Sequence, residues 1–264
     1  MQLIIKEITP GYFHIKEAKV HVTLVVGSKK ALLWDTGYGI TDLMSAIRSI
    51  TMLPLIVINS HSHIDHIGGN FAFDEVYINP TALASAAFFN SAPIREIGLI
   101  RTINVHHAVK RDYSLTRMTA VREGKIFDLG DKTVEVIEIP GHTEADLALW
   151  IKEDEVMLTA DAVNYVMWLY FSDQVKQSTI VKSLTKLAEY PIKNIIASHR
   201  HTPLSHHYLV ELRDVIANLR KETCIAVDPS AMPLSDHTDL LEFHTLILHK
   251  EVQIVMRENQ FDIY

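Results

Sequence analysis

Hydrophobic positions in the N-terminal third of the chain recur with a period of two. Val20, Val22, Leu24 and Val26 follow it, which predicts a half-buried strand. Ala31-Leu32-Leu33-Trp34 runs directly into Asp35-Thr36-Gly37, an apolar strand ending in turn residues. Thr41 is placed to cap a short helix that carries Leu43, Ala46, Ile47 and Ile50 on one face. Residues 54–59 are almost wholly apolar, the pattern of a strand buried on both faces. Residues 80–119 break the strand rhythm. Two helices are predicted there, over 82–89 and 94–100, among the basic residues Arg95, Arg101, Lys110, Arg111 and Arg117 and the pair His106-His107. Strands resume at 128–132, a turn leading to Val134, Val136, Ile137 and Ile139, whose change of phase predicts a bulge. A hairpin follows, 146–151 and 155–159 around Lys152-Glu153-Asp154. Helices are expected over 178–190 and 206–221, with a strand over 193–198 between them. The final strands, 246–248 and 252–256, would complete a sheet or reach a second copy of the chain. Strands and helices mix throughout, so the class is α/β or α+β with a large sheet content. No repeat, linker or charge run divides the chain. It reads as one domain over 1–264, with a helical lid insertion at about 80–119.

Composition narrows the function. The chain has 264 residues, of which 48% are apolar and 22% charged, enough to bury a core without covalent staples. Cys224 is the single cysteine, which excludes an internal disulfide or a zinc ribbon and fits a reducing compartment. No apolar run approaches the ~18 residues of a membrane span. The start of the sequence lacks a basic, cleavable leader, so a soluble cytoplasmic protein is expected. The net charge of −7 gives no general attraction to nucleic acid or to an anionic membrane. A small-molecule substrate is the expected partner, and pairing into a homodimer is left open. The 15 histidines are the unusual feature, and the question is which of them converge.

The central signal is His61-Ser62-His63-Ile64-Asp65-His66-Ile67-Gly68-Gly69, directly after the apolar strand 54–59. A loop leaving a strand can turn alternate side chains inward, so His61 and His63 can face one cation. Asp65 and His66, about a helical turn on, can face another. Imidazole and carboxylate suit zinc, iron or manganese. Three later strands also end in a ligand-type residue: 137–139 before His142, 156–160 before Asp161, and 195–198 before His199. A lone histidine after a strand is ordinarily a surface or core residue. The full set is not explained that way.

These motifs resemble those of the metallo-β-lactamase superfamily. His-Ser-His-Ile-Asp-His is similar to its H-x-H-x-D-H signature. Trp34-Asp35-Thr36-Gly37, Pro140-Gly141-His142-Thr143, Thr159-Ala160-Asp161 and Ser198-His199 resemble its other motifs, in the same order. The resemblance implies a four-layer αββα sandwich of two mixed sheets flanked by helices, with the site at one edge. It implies that His61, His63 and His142 bind a first metal and that Asp65, His66 and His199 bind a second. Asp161 would bridge both, and Asp35 would orient a ligand. The implied cofactors are two divalent metal ions, zinc ahead of iron or manganese. His201 competes with His199 for the last position, while His206 and His207 are expected to be exposed at the start of a helix.

Two cations sharing a water lower its pKa from 15.7 to about 7, producing a bridging hydroxide that attacks a carbonyl or phosphoryl centre. A metal-dependent hydrolase of a small ester, lactone, thioester or phosphoester is the leading expectation. Asp65 would also orient the nucleophile or carry a proton. Asn164 to Phe171 places aromatic residues just past Asp161. Core packing is expected for most of them, with Tyr165 the candidate for substrate contact as a donor to a developing oxyanion. No basic clamp for glutathione is recognisable in the C-terminal region. Two alternatives stand: a mononuclear iron dioxygenase of the persulfide-dioxygenase type, and a non-catalytic scaffold of the same fold.

Overall fold

The computed structural model describes residues 3–105, 118–171, 173–228 and 239–262. Seven strands form the first sheet, in sequential order: β1 (Ile4–Thr9), β2 (Tyr12–Glu17), β3 (Val20–Val26), β4 (Ala31–Trp34), β5 (Leu55–Ile58), β6 (Val76–Ile78) and β7 (Met118–Ala120). Its first four strands are antiparallel and its last four parallel. Helix α1 (Leu43–Ile50) crosses between β4 and β5, α2 (Ile64–Ile67) follows β5, and α3 (Leu83–Phe89) and α4 (Ala92–Ile103) lie between β6 and β7. The second sheet has the order β13-β11-β10-β9-β8. It comprises β8 (Ile126–Asp128), β9 (Thr133–Glu138), β10 (Leu147–Ile151), β11 (Val156–Ala160) and β13 (Asn194–Ala197). A third, smaller sheet has the order β12-β16-β15-β14, from β12 (Val166–Trp168), β14 (Ile225–Ala226), β15 (Leu240–Ile247) and β16 (Lys250–Arg257). The C-terminal strands therefore neither extend the second sheet nor stand apart from the fold. They pair with β12.

The layers follow from two-sided burial. Leu32, Trp34 and Ile58 of the first sheet meet Val134, Val136, Leu149 and Leu158 of the second, forming the inner core. The outer face of the first sheet, with Val22, Leu24 and Leu33, packs on Leu43 and Ile47 of α1. The outer face of the second sheet, with Ile137, Trp150 and Ile195, packs on α5 (Gln177–Ala188) and α6 (His206–Asn218). Helices outside and sheets inside make this an α+β fold of αββα layers.

Several sequence expectations change here, two of them in strands. A strand covered on both faces has no polar side to reveal its pleat. β3 is buried almost throughout, not half-buried, and includes His21 and Thr23. No bulge separates Val136 from Ile137. β9 keeps regular register with β10, Val136 facing the inner core and Ile137 the helices. The cap of α1 is Asp42, whose side chain accepts from the Ser45 amide, while the Thr41 hydroxyl donates to buried Glu17. Arg95, one of the basic residues of the 80–119 segment, is buried. Its guanidinium donates to the carbonyls of Gly68 (3.1 Å) and Tyr38 (3.2 Å). His106, His107, Lys110, Arg111 and Arg117 lie outside the described residues, as does the part of the proposed lid they occupy. Among the described residues, no helix is long and apolar enough to cross a membrane.

Candidate metal centre

Strand direction brings the candidate ligands together. β4 and β5 are parallel, so Asp35 and the loop after Ile58 emerge at the same edge of the first sheet. β9 and β11 share a direction through antiparallel β10, and β13 is parallel to β11. His142, Asp161 and His199 therefore emerge together from the second sheet. Backbone bonds tie the two edges: the Leu147 amide donates to Ser60 O (2.9 Å) and the His21 amide to Ser198 O (2.7 Å).

The histidine loop is held from behind. The Thr36 amide donates to His66 O (2.8 Å) and Asn59 Nδ2 to the same oxygen (3.0 Å). Gly68 and Gly69 allow close approach rather than an unusual turn. A Cβ on Gly68 would lie 2.3 Å from Tyr38 O, and one on Gly69 2.3 Å from Thr36 O. Two non-glycine residues in the left-handed region flank the site, Asp35 (φ 69°) and Ala160 (φ 47°). Each costs backbone energy that the surrounding structure must offset.

The outward nitrogens of the histidines are spoken for. His66 Nδ1 donates to Asp35 Oδ2 (2.7 Å), and Asp35 also accepts from the Ser60 amide (2.7 Å) and hydroxyl (2.9 Å). His142 Nδ1 donates to Trp168 O (2.6 Å), His199 Nδ1 donates to Lys19 O (2.8 Å), and His61 Nδ1 lies 2.9 Å from Ser60 Oγ. Each ring thus turns Nε2 inward, the arrangement that orients metal-binding imidazoles. His63 is the reverse. Its Nδ1 lies 2.9 Å from His142 Nε2, while its Nε2 lies 3.8 Å from Asp173 Oδ1.

Three groups of inward atoms fall within 4.8 Å of one another: His61 with His63 and His142, His61 with His66 and Asp161, and Asp65 with His66 and His199. Asp161 Oδ2 lies 3.4 Å from His66 Nε2, 3.2 Å from His199 Nε2 and 3.7 Å from His142 Nε2. Asp65 Oδ2 lies 3.4 Å from His199 Nε2. His61 Nε2, His66 Nε2 and Asp161 Oδ1 are buried without a hydrogen-bond partner. Buried polar atoms left bare in one small volume are what a bound cation would satisfy, so the donor set fits a divalent metal. His201 is turned elsewhere: its Nδ1 lies 3.1 Å from His21 Nε2. Of the helix-start histidines, His207 is exposed, while half-buried His206 bonds Ala188 O through Nε2 (2.8 Å).

Electrostatics divide the cluster. Burial holds the His61 imidazole well below its ordinary pKa and lowers that of His142 to about 4, so both are neutral ligands. At His66 and His199 burial again opposes charge, but carboxylates outweigh it: Asp65, Asp35 and Asp161 at His66, Asp161 and Asp65 at His199. They hold the first well above its ordinary value and raise the second to about 10.

The centre opens into a cavity of about 680 Å³. Tyr165, Trp168 and Phe171 line it, together with Phe89 of α3 and Thr102 of α4. The expectation of core packing therefore fails for most of the aromatics after Asp161; Tyr170 alone is fully buried. β12 alternates, turning Val166 and Trp168 to the cavity and Met167 to the core. Asp173 was missed by sequence reasoning, as was Asp146, a buried carboxylate that accepts from the Thr143 amide (3.0 Å) and hydroxyl (2.6 Å). Neither occupies a recognisable motif.

A sequence profile of the metallo-β-lactamase superfamily matches residues 16–199. The chain belongs to the metallo-β-lactamase superfamily. Among named relatives, human acyl-coenzyme A thioesterase MBLAC2 is 25% identical over 194 residues, spanning 63% of this chain and 70% of that protein. A hydroxyacylglutathione hydrolase of Mesorhizobium japonicum is 24% identical over 205 residues, spanning 76% and 64% respectively. Among solved structures, a metallo-β-lactamase from Pontibacter korlensis superposes with a TM-score of 0.63 at 18% identity, covering 83% of this chain and all of that one. The sec-alkylsulfatase Pisa1 from a Pseudomonas species reaches 0.64 at 17% identity, covering 83% of this chain and 42% of that one. Membership implies divalent-metal binding and hydrolase chemistry, and each of the three His/Asp groups among the described residues could hold a metal ion.

Proposed function

We propose that the protein is a dinuclear metallo-hydrolase that cleaves acyl thioesters. His61, His63 and His142 would hold one cation, Asp65, His66 and His199 the other, and Asp161 both. The observation that carries this reading is the convergence of these side chains, from separate strand ends, at the floor of a largely apolar cavity. The relatives' names, acyl-coenzyme A thioesterase and hydroxyacylglutathione hydrolase, both describe removal of an acyl group and support an acyl substrate. Zinc is the metal that this mixture of imidazole and carboxylate suits best. The lid at about 80–119, in a single domain over 1–264, belongs to the same proposal.

Bound cations would supply an activated water and polarise the substrate carbonyl. The chain's own residues do the rest. Phe89, Trp168 and Phe171 bind the acyl group and exclude bulk water. Asp65 orients the attacking water and accepts its proton at a carboxylate oxygen. Tyr165 donates its phenol proton in a hydrogen bond to the carbonyl oxygen as negative charge develops there. The water oxygen bonds to the carbonyl carbon, the C–S bond breaks, and its electron pair leaves on sulfur, which takes up the proton.

Elemental mass spectrometry of protein purified without chelator or histidine tag tests the metal content. A screen of thioesters, esters, lactones and phosphodiesters tests the reaction. About two equivalents of divalent metal with thioester hydrolysis are expected. One iron with oxygen uptake, or no metal after reconstitution, would overturn the proposal.

A further inference from the structure

The two flanks of the cavity differ in chemistry. Beside His63 and His142 the wall is aromatic: the Phe171 ring centroid lies 4.3 Å from that of His63 and 5.5 Å from that of His142, and the Phe89 centroid lies 4.9 Å from that of His63. Trp168 continues this wall and accepts from His142 through its carbonyl. The flank beside His199 carries cations. Lys19 holds His199 through its backbone oxygen, and Arg200 is the next residue in the chain. The Arg200 guanidinium carbon lies over the Tyr165 ring, 3.6 Å from the centroid, and the group donates to Thr202 O (3.0 Å) and Oγ1 (3.1 Å). Lys250, at the start of β16, joins the same lining through β12, since the Gln253 amide donates to Tyr165 O (2.9 Å).

The charge at this mouth is inverted relative to the rest of the molecule. The chain has 25 Lys and Arg against 32 Asp and Glu. Among the described residues lining the cavity, the cations are Lys19, Arg200 and Lys250. The carboxylates there are Asp65 and Asp161, which are proposed metal ligands. A guanidinium held over a ring and braced by hydrogen bonds loses little freedom on meeting an oxyanion, and its planar donors suit phosphate.

Resting on the thioesterase reading, we infer that the substrate straddles the metal centre with a fixed polarity. Its acyl group lies on the Phe89–Trp168–Phe171 side. Its leaving thiol carries phosphate and lies on the Lys19–Arg200–Lys250 side. The cationic flank is then a specificity subsite for the thiol half of the substrate, built from residues far apart in sequence. The bond cleaved lies between these two flanks, and the thiol departs on the side where the cations stand.

The test compares two thioesters with the same acyl chain, hexanoyl-coenzyme A and neutral hexanoyl-N-acetylcysteamine, on the metal-loaded full chain. The ratio of their kcat/KM values is the readout. The wild type should prefer the phosphate-bearing ester. The double variant Lys19→Glu/Lys250→Glu should reduce that preference at least about tenfold, through KM. Raising the salt to 1 M, where the screening length falls to about 3 Å, should reduce it in the wild type. Both lysines are exposed, so folding is expected to survive. Calorimetric binding of free coenzyme A, which needs no turnover, should weaken in the same variant. Equal rates on the two thioesters, or a preference unchanged by both charge reversal and salt, would overturn the subsite while leaving the hydrolase reading intact. Coenzyme A binding that depends on these lysines, with neither thioester cleaved, would instead sink the thioesterase reading and keep the subsite.

Discussion

The two sides of the metal centre are built differently. On one side His61, His63 and His142 are buried, and Phe89, Phe171 and Trp168 screen them from solvent. Burial keeps the rings of His61 and His142 neutral, so they are ready to ligate. On the other side Asp65, His66 and His199 mix carboxylate with imidazole, and the His199 side chain is 29% exposed. There the carboxylates favour charge on the rings, and a cation must displace protons to bind. One side is preorganised by packing. The other is held by charge and faces the mouth of the cavity, where the cationic rim stands.

The largest effect should come from the residue that serves both sides. Asp161→Ala is expected to abolish turnover and lower the metal content, while circular dichroism still shows a folded chain. His63→Ala should abolish turnover too, by emptying the packed side. Retained activity in both variants would refute the assignment of the centre. Next comes the open side. Tyr165→Phe keeps the ring under Arg200 but loses the hydroxyl, so kcat should fall about 100-fold if the phenol serves the oxyanion. An unchanged kcat would leave Tyr165 only the task of positioning Arg200.

Supporting carboxylates give a finer contrast. Asp35→Asn disturbs the 2.7 Å bond that sets the His66 tautomer and should weaken metal affinity by about 10–100-fold. Asp173→Asn acts on His63 across 3.8 Å and should cost less in the same metal titration. The reverse order would mean that the packed side depends on Asp173 more than on packing.

The smallest effect is on stability. His14 is buried, and its ring lies 4.9 Å from that of His21, whose Nδ1 bonds Ser198 O next to His199. Burial lowers the His14 pKa from 6.5 to about 3. Between those values the unfolded chain binds more protons, so the stability contribution is complete above pH 6.5 and declines as pH falls. At pH 5.5 this histidine should cost about 1.4 kcal/mol relative to neutral pH. Urea melts of His14→Gln should show a shallower loss between pH 7 and 5.5, and an unchanged slope would contradict the mechanism.

Much of the fold was legible because the buried strands carry their apolar residues in short runs bounded by turn residues. β4, β5, β10, β11 and β13 fall close to their predicted places. What failed was phase. Val136 and Ile137 looked like a slip and are two faces of a strand covered on both sides. The candidate ligands were visible because each follows a strand end. Asp173 and Asp146 were not, since a single acidic residue in a loop carries no local signal. The Arg95 guanidinium shows the converse. Along the chain it is one basic residue among several, yet it is buried and holds the carbonyls of Gly68 and Tyr38.

The sequence by itself determined the chemistry available: imidazoles and carboxylates at the ends of apolar strands, and the superfamily to which that pattern belongs. Ligand type and strand periodicity are local properties, written into neighbouring residues. Only the tertiary structure decided which nitrogen each histidine turns inward, because the atom behind each ring comes from a distant segment: Asp35 for His66, Trp168 for His142, Lys19 for His199. It also brought Lys19, Arg200 and Lys250 into the lining of one cavity, where no C-terminal clamp was recognisable along the chain. Charges separated in sequence make a site only where sheet packing closes the distance between them.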